Sequence, residues 1–194
     1  ELPDFPGEFY EMIDVVDWAS NTQQEIIPSD IASNDRFGKS VAISGTTAIV
    51  GSRKEDPDDV SNAGSAYIFE HNGSEWIYVT KIYAVDKQDG DDFGYSVAID
   101  GTTAIVGAPQ EDTGGSAAGA AYIFEYDGST WTQVEKIQAD DKAGGDQFGH
   151  SVAISGTTAI VGAWLEDTGG TYAGAAYIFE KVEGTWGNAV DGET

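Results

Sequence analysis

The segment FGYSVAIDGTTAIVGAPQEDTGGSAAGAAYIFEYDGSTW, running from Phe93 to Trp131, is one of three copies in the chain. The others open at Phe37-Gly38 and Phe148-Gly149, so the copies follow one another at an almost constant interval. Val50-Gly51, Val106-Gly107 and Val161-Gly162 keep this register. So do Trp76, Trp131 and Trp186, and the Tyr-Ile-Phe-Glu runs that begin at Tyr67, Tyr122 and Tyr177. The first copy is longer by a single residue, which falls between Glu55 and Tyr67, in a stretch that reads as loop. A fixed period of this length marks an array of small units that bury their faces on one another.

Inside the copy, Ser96 to Ile99 reads as a first strand and Thr103 to Gly107 as a second. Asp100-Gly101 between them is a two-residue hairpin signal, with Ser44-Gly45 and Ser155-Gly156 in the same place; such a turn favours residues that accept positive φ. The second strand, TAIVG, does not alternate apolar with polar residues, which suits a strand covered on both faces. The glycine-rich acidic loop Gln110 to Gly119 leads to a third strand, Ala120 to Glu125. Asp127-Gly128 turns into a fourth, Trp131 to Ile137, with Asn72-Gly73 and Glu183-Gly184 as the matching turns. Four short antiparallel strands per copy predict an all-β fold, a β-propeller-type array of four-stranded antiparallel blades. A β-solenoid has shorter coils, and a sandwich does not repeat its sequence so closely.

The domain reading is an extension at 1–36 and blades at 37–92, 93–147 and 148–194. In the extension, Phe9 to Trp18 fits a strand or a short helix. Thr22, Gln23, Gln24, Glu25, Ile26 and Ile27 echo Thr132 to Ile137 and are expected to form an orphan last strand that is donated to a neighbouring blade or subunit. The third blade ends in Gly187 to Thr194, GNAVDGET, a poor match to the other fourth strands. Three blades are fewer than the 4–8 of a closed propeller. A spare strand at one end and an incomplete blade at the other predict head-to-tail self-assembly into a ring or filament, or further repeats of a longer chain.

Thirty-four Asp and Glu face nine Lys and Arg, a formal charge of −25. That argues against nucleic acid and anionic lipid as partners, and for cations or a basic protein surface. There is no cysteine, which excludes a disulfide framework, a thiolate metal site and a cysteine nucleophile. No run approaches the ~20 apolar residues of a membrane helix. The chain opens on Glu1, as expected of a mature form or an excerpt.

Phe-Gly-x-Ser-Val-Ala-Ile, followed by Ala-Ile-Val-Gly-Ala-Pro at Ala104 to Pro109 and Gly-Ala-Ala-Tyr-Ile-Phe at Gly119 to Phe124, resembles the FG-GAP repeat. That repeat is the blade unit of the integrin α-subunit propeller and of many bacterial and archaeal surface proteins. The resemblance covers roughly residues 35 to 186 and implies a β-propeller, usually extracellular, often adhesive and often calcium-bearing. One departure stands out. Many members carry an Asp-x-Asp-x-Asp-Gly calcium loop between the first two strands, where this chain has only Ser-Gly or Asp-Gly. A two-residue hairpin cannot wrap the 6–8 oxygens that calcium takes.

Other acids recur in register. Glu55-Asp56, Glu111-Asp112 and Glu166-Asp167 follow the second strands. Glu111, Asp112, Glu166 and Asp167 are calcium candidates by ligand type, and turn-starting residues on the simpler reading. Asp35, Asp91 and Asp146 each precede the Phe-Gly phenylalanine by two positions and fit a shared turn cap. Trp164 replaces Pro109 and Ser52 at the loop entry and is a candidate contact residue. Asn72-Gly73-Ser74 is a glycosylation sequon on a hairpin tip. His71 and His150 stand at different repeat positions without triad or metal-ligand spacing around them. The expectation is a non-enzymatic structural or adhesive protein, extracellular or at the cell surface, requiring no cofactor although calcium is allowed. The alternatives are a carbohydrate-binding propeller that grips glycans with repeated aromatics and acids, and an enzyme working through acidic loop residues.

Overall fold

The computed structural model describes residues 23–188. Phe9 to Trp18, Thr22 and the tail after Asn188 lie outside the described residues. Among the described residues, twelve strands form three four-stranded antiparallel sheets, one per sequence copy. The first holds β1 (Phe37–Ser44), β2 (Thr47–Ser52), β3 (Ser65–His71) and β4 (Trp76–Ile82) in that order. The second holds β5 (Ser96–Asp100), β6 (Thr103–Ala108), β7 (Ala120–Tyr126) and β8 (Trp131–Ile137). The third holds β9 (Phe148–Ser155), β10 (Thr158–Ala163), β11 (Ala175–Val182) and the short β12 (Thr185–Asn188). Among the described residues the one helical element is a 3-10 turn at Pro57–Asp59, and no helix is long and apolar enough to cross a membrane.

The Glu183-Gly184 hairpin is as expected from sequence, with both residues at positive φ between paired Val182 and Thr185, while the other hairpins differ in detail. Ser44 pairs with Thr47, so the first turn is centred on Gly45-Thr46, one position later than predicted. Only the glycine has positive φ there, and the same holds at Gly101 and Gly156. The preceding Ser or Asp ends the strand and uses its side chain across the stack: Ser44 Oγ accepts the Gly101 amide at 3.0 Å and Asp100 accepts that of Gly156 at 2.7 Å. Asn72 and Asp127 build longer turns, their side chains each accepting two backbone amides further along the loop.

The sheets pack face to face. One core cluster joins Ile49, Ala66 and Ile68 of the first sheet to Phe93, Val97, Ile99, Val106, Tyr122 and Phe124 of the second. Another joins Ile105, Ala121, Ile123 and Ile137 of the second sheet to Phe148, Ala159, Val161, Phe179 and Trp186 of the third. Each large apolar side chain fully buried in this way contributes roughly 1.5–3 kcal/mol. The three phenylalanines have like surroundings: Phe37, Phe93 and Phe148 each lie 5.5 Å from the tyrosine ring of their own third strand.

Glycine sets the closeness of the stack. A methyl on Gly51 would run into the Gly94 carbonyl, and one on Gly107 into that of Gly149. Ser40 and Ser96 hydroxyls donate to those same carbonyls at 2.9 and 2.8 Å. Backbone amides add to the junctions, with Phe93 N donating to Ala63 O at 2.8 Å and Phe148 N to Ala118 O at 2.9 Å.

Two pairs of strands with matching sequence show what the stacking does. TAIVGA forms both β6 and β10, and AAYIFE opens both β7 and β11. In the middle sheet these runs are buried almost throughout, whereas in the third they alternate between covered and exposed. Sequence is constant and only the neighbour differs. The continuous apolar run thus suits a strand covered on both faces, and in the third sheet one of those faces is left open.

The spare N-terminal strand takes a different form from the one expected. Gln23 to Ile27 does not form a strand, and it joins the first sheet through side chains. Gln24 bridges the main chain of Trp76, accepting from its amide and donating to its carbonyl, both at 2.7 Å. Ile26 packs with Val50, Tyr67, Phe69 and Phe37, while Ile27 is exposed. Ile26 precedes Phe37 by the same interval that separates Ile82 from Phe93 and Ile137 from Phe148. It fills the place of a preceding blade's last buried isoleucine, one position earlier than the sequence echo put it.

Candidate functional site

Three sets of polar residues recur blade by blade, and the two ends of the stack carry what the repetition leaves over. The first set is the clasp before each blade. Asp35, Asp91 and Asp146 accept the amides of Ala32, Gln88 and Ala143 at 2.6, 2.7 and 2.6 Å. Their own carbonyls then accept the amides of Lys54, Gln110 and Leu165 in the loops of the same blades. All three aspartates are buried. Burial pushes the Asp91 carboxyl up to about 6 against the opposing Gln88 amide, and the charges of Glu111 and Asp86 add to the rise.

The second set is an acid–lysine cluster. Lys81 Nζ lies 3.0 Å from Glu55 and 2.8 Å from Asp30. Lys136 Nζ lies 2.9 Å from Glu111 and 2.6 Å from Asp86. Burial works against both ammonium groups, yet the hydrogen bonds to these carboxylates win and hold each above the ordinary lysine value. Glu111 is further held by the Thr113 amide and by Gln138 Nε2, at 3.0 Å each. Asp112, exposed beside it, accepts the Ala117 amide at 2.8 Å. In the third blade, Glu166 is buried and accepts the Thr168 amide at 2.7 Å, while Asp167 is exposed. Asp141, the counterpart of Asp30 and Asp86, there receives the Tyr177 hydroxyl at 2.9 Å. Among the described residues no group of three or more His, Asp or Glu is arranged to hold a metal ion.

The third set is a row of side chains at the position after each Phe-Gly: Lys39, Tyr95 and His150. The Lys39 ammonium sits 5.1 Å from the Tyr95 ring centre, and the Tyr95 hydroxyl is 3.0 Å from His150 Nε2. Burial first, and the Lys39 charge second, hold the His150 imidazole below the ordinary histidine value. The Trp164 ring closes the row 5.1 Å from that of His150, its indole donating to Gln147 Oε1 at 2.7 Å. Since β2 ends at Ser52, β6 at Ala108 and β10 at Ala163, the counterparts of Trp164 are Arg53 and Pro109. Ser52, named for that place in the sequence analysis, lies one position before it. Arg53 and Lys54 reach across the junction to pair with Asp92 of the next connection.

The end faces complete the inventory. On the first sheet Val41 and Ile43 are 68 % and 63 % exposed, whereas their counterparts Val97 and Ile99 in the second are 8 % and 7 %. On the third sheet Ile160 and Ile178 are 43 % and 51 % exposed, whereas Ile105 and Ile123 are buried completely. Shallow depressions on that face are lined by Ala153, Ile160, Gly162, Ala176 and Ile178. Among the described residues, β12 pairs with β11 from Phe179 to Val182, whereas β4 and β8 reach back to Ala66 and Ala121.

The family model for the FG-GAP repeat matches residues 21–69, 76–124 and 131–179, well over half of the chain. The chain belongs to the FG-GAP repeat family. Each FG-GAP match in the second and third copies starts on a fourth strand and ends on the third strand of the following blade. The first FG-GAP match begins at residue 21, so Gln23 to Ile27 stands in the family's last-strand position. That agrees with Ile26 in the core cluster. A comparison with curated proteins finds no match.

Among the residues singled out from sequence, the structure brings Trp164 and His150 together and places Gln24 and Ile26 against the first sheet. It keeps Glu111-Asp112 and Glu166-Asp167 in separate blades. Asn72 sits on an exposed hairpin tip with its carbonyl turned to the Ser74 and Glu75 amides. Sequence reasoning missed Lys81 and Lys136, although their recurrence at one register position in successive copies was a readable signal. It also missed Lys39, Arg53 and Arg36, which differ between copies and so escape a search for what repeats.

Proposed function

We propose that this β-propeller-type FG-GAP protein is a non-enzymatic structural or adhesive component, extracellular or at the cell surface, whose subunits join head to tail through the open faces of the first and third blades. The observation that carries the reading is the exposure of Ile160 and Ile178, chemically the same face that the first and second blades bury. Its complement, Val41 and Ile43, lies open at the other end of the stack. A heterologous contact of this kind closes into a ring or continues as a filament, and two chains supply six blades.

The polar clusters support a structural rather than a chemical role. Glu55 and Glu111 are engaged by lysine ammonium groups inside their own blades, and the three buried aspartates hold backbone turns. Repeating the same contacts blade after blade builds rigidity, whereas catalysis needs one asymmetric site. Sedimentation velocity of the purified chain across a hundredfold concentration range tests the proposal. Species that grow in whole multiples of the chain mass, 20.5 kDa, support it. A lone monomer at every concentration contradicts it.

A further inference from the structure

Several residues that differ between copies lie at the junctions, and their differences are matched from one end of the chain to the other. At the first junction the side facing forward carries two cations, Arg53 and Lys54, and the side facing back carries Asp92. At the chain's ends the back carries cations and the front carries no charge at these positions. The counterpart of Asp92 on the back of the first blade is Arg36, with Lys39 beside it. The counterparts of Arg53 and Lys54 on the front of the third blade are Trp164 and Leu165. Arg36, Asp92 and Gln147 share the same left-handed backbone, with φ of 60°, 60° and 54°, which fixes the equivalence.

A second pair obeys the same logic. At the second junction Glu125 accepts from Lys181 Nζ at 2.6 Å and from Trp186 Nε1 at 3.2 Å, both reaching across from the third blade. The counterpart of Glu125 on the third blade is the exposed Glu180. The counterparts of Lys181 and Trp186 on the first blade are His71 and Trp76, whose rings lie 5.3 Å apart. The first junction, by contrast, sets Tyr126 and Trp131 beside Glu70 in a cleft whose lining includes no cation.

Backbone space is prepared as well. Gly162 has only Ser151 nearby, although Gly51 and Gly107 each hold the next blade's glycine carbonyl in that place. Gly38, the counterpart of Gly94 and Gly149, has nothing within 4 Å of where a Cβ would stand.

The geometry points to a specific occupant for the front of the third blade: the back of the first blade of a second copy, with Trp164 receiving the partner's Lys39 and the partner's Arg36 by cation–π contact and Glu180 receiving the partner's His71 and the partner's Trp76. This rests on the head-to-tail reading and deepens it by naming the pairing code. The code also excludes wrong registers. A front bearing Arg53 and Lys54 would meet the partner's Arg36 with like charge, and an internal Asp92 would have no cation to meet at Trp164. In the completed junction Ser151 stands to the partner's Gly38 as Ser96 stands to Gly149, and Ser155 to the partner's Gly45 as Ser44 to Gly101.

The test uses sedimentation velocity on the intact chain, with circular dichroism confirming the fold of each variant. Trp164→Ala and Glu180→Lys are both exposed changes, and each is expected to weaken association about tenfold or more. His71→Glu does the same by setting two carboxylates together, and the double variant Glu180→Lys with His71→Glu recovers it, because each junction then pairs opposite charges. Ile178→Arg and Val41→Arg, each blocking one face, stay monomeric apart and form a 1:1 dimer when mixed. If the wild-type chain associates but Trp164→Ala and Glu180→Lys associate equally well, the pairing code is overturned and the head-to-tail reading survives. If the wild-type chain never associates, both fall.

Discussion

The carbonyl oxygen of Gly149 occupies the space that a side chain on Gly107 would need, and it accepts the Ser96 hydroxyl at 2.8 Å. The same relation holds one blade earlier between Gly94 and Gly51. Two sheets thus approach at a distance set by the absence of a Cβ. Gly107→Ala is expected to destabilise by about 1–3 kcal/mol, at the upper end because the obstacle is backbone. Gly162→Ala, which meets only the Ser151 side chain, is expected to leave monomer stability nearly unchanged while impairing association. Urea unfolding, read together with sedimentation, separates the two effects.

Lys136 holds Glu111 in a buried setting. Lys136→Met leaves that carboxylate without its cation and is expected to cost about 3 kcal/mol. Adding Glu111→Gln removes the orphaned charge and is expected to restore a large part of the loss. A double-mutant cycle by thermal unfolding measures the coupling.

Asp91 gives a pH dependence whose sign follows from its raised value. The folded carboxyl titrates near 6, above its ordinary value of 3.8. Between these values the folded state holds the proton more tightly than the unfolded one. This group therefore stabilises the fold at low pH and loses that contribution as pH rises through about 6. Asp91→Asn keeps an acceptor for the Gln88 amide without the charge. Its stability relative to the wild type is expected to increase between pH 4 and pH 7, as measured by chemical denaturation at each pH.

His150 behaves in the opposite sense. Burial and Lys39 hold it below the ordinary histidine value of 6.5, so the unfolded chain takes up the proton first. Its contribution to stability is present above that value and declines as pH falls below it. Lys39→Ala is expected to move the titration of His150 back toward the ordinary value, an upward shift visible by NMR of the ring protons.

Net charge opposes assembly at long range. Each copy carries a formal −25, and the Debye length is about 3 Å at 1 M salt and 30 Å at 0.01 M. Association is expected to be stronger in 0.5 M than in 0.02 M sodium chloride, because screening weakens this repulsion more than it weakens close contacts. Sedimentation at the two salt concentrations checks this.

The fold was legible because the information is written three times. Phe93, Gly107, Tyr122 and Trp131 recur in register, and a triple period leaves little freedom in element type. The Glu183-Gly184 turn stands where the sequence put it, between paired Val182 and Thr185, whereas the first turn of each blade was legible only to within one position, since Asp100-Gly101 and Gly101-Thr102 both fit a turn pair until the strand register is known. The junction chemistry was hidden for a different reason. Arg53, Pro109 and Trp164 share a position but no chemistry, so their meaning depends on what the neighbouring blade presents. Ile26 and Ile27 show the same limit: adjacent isoleucines in sequence, one packed and one exposed, distinguished only by the spacing to Phe37.

Hydrogen–deuterium exchange at low and high protein concentration tests most directly that the end faces complete the same junction that the interior repeats. The account predicts that β1, β10 and β11 slow their exchange together as concentration rises, while β6 and β7, already covered on both sides, stay unchanged. Exchange that is independent of concentration in all five strands, or slowed at only one end of the stack, would contradict it.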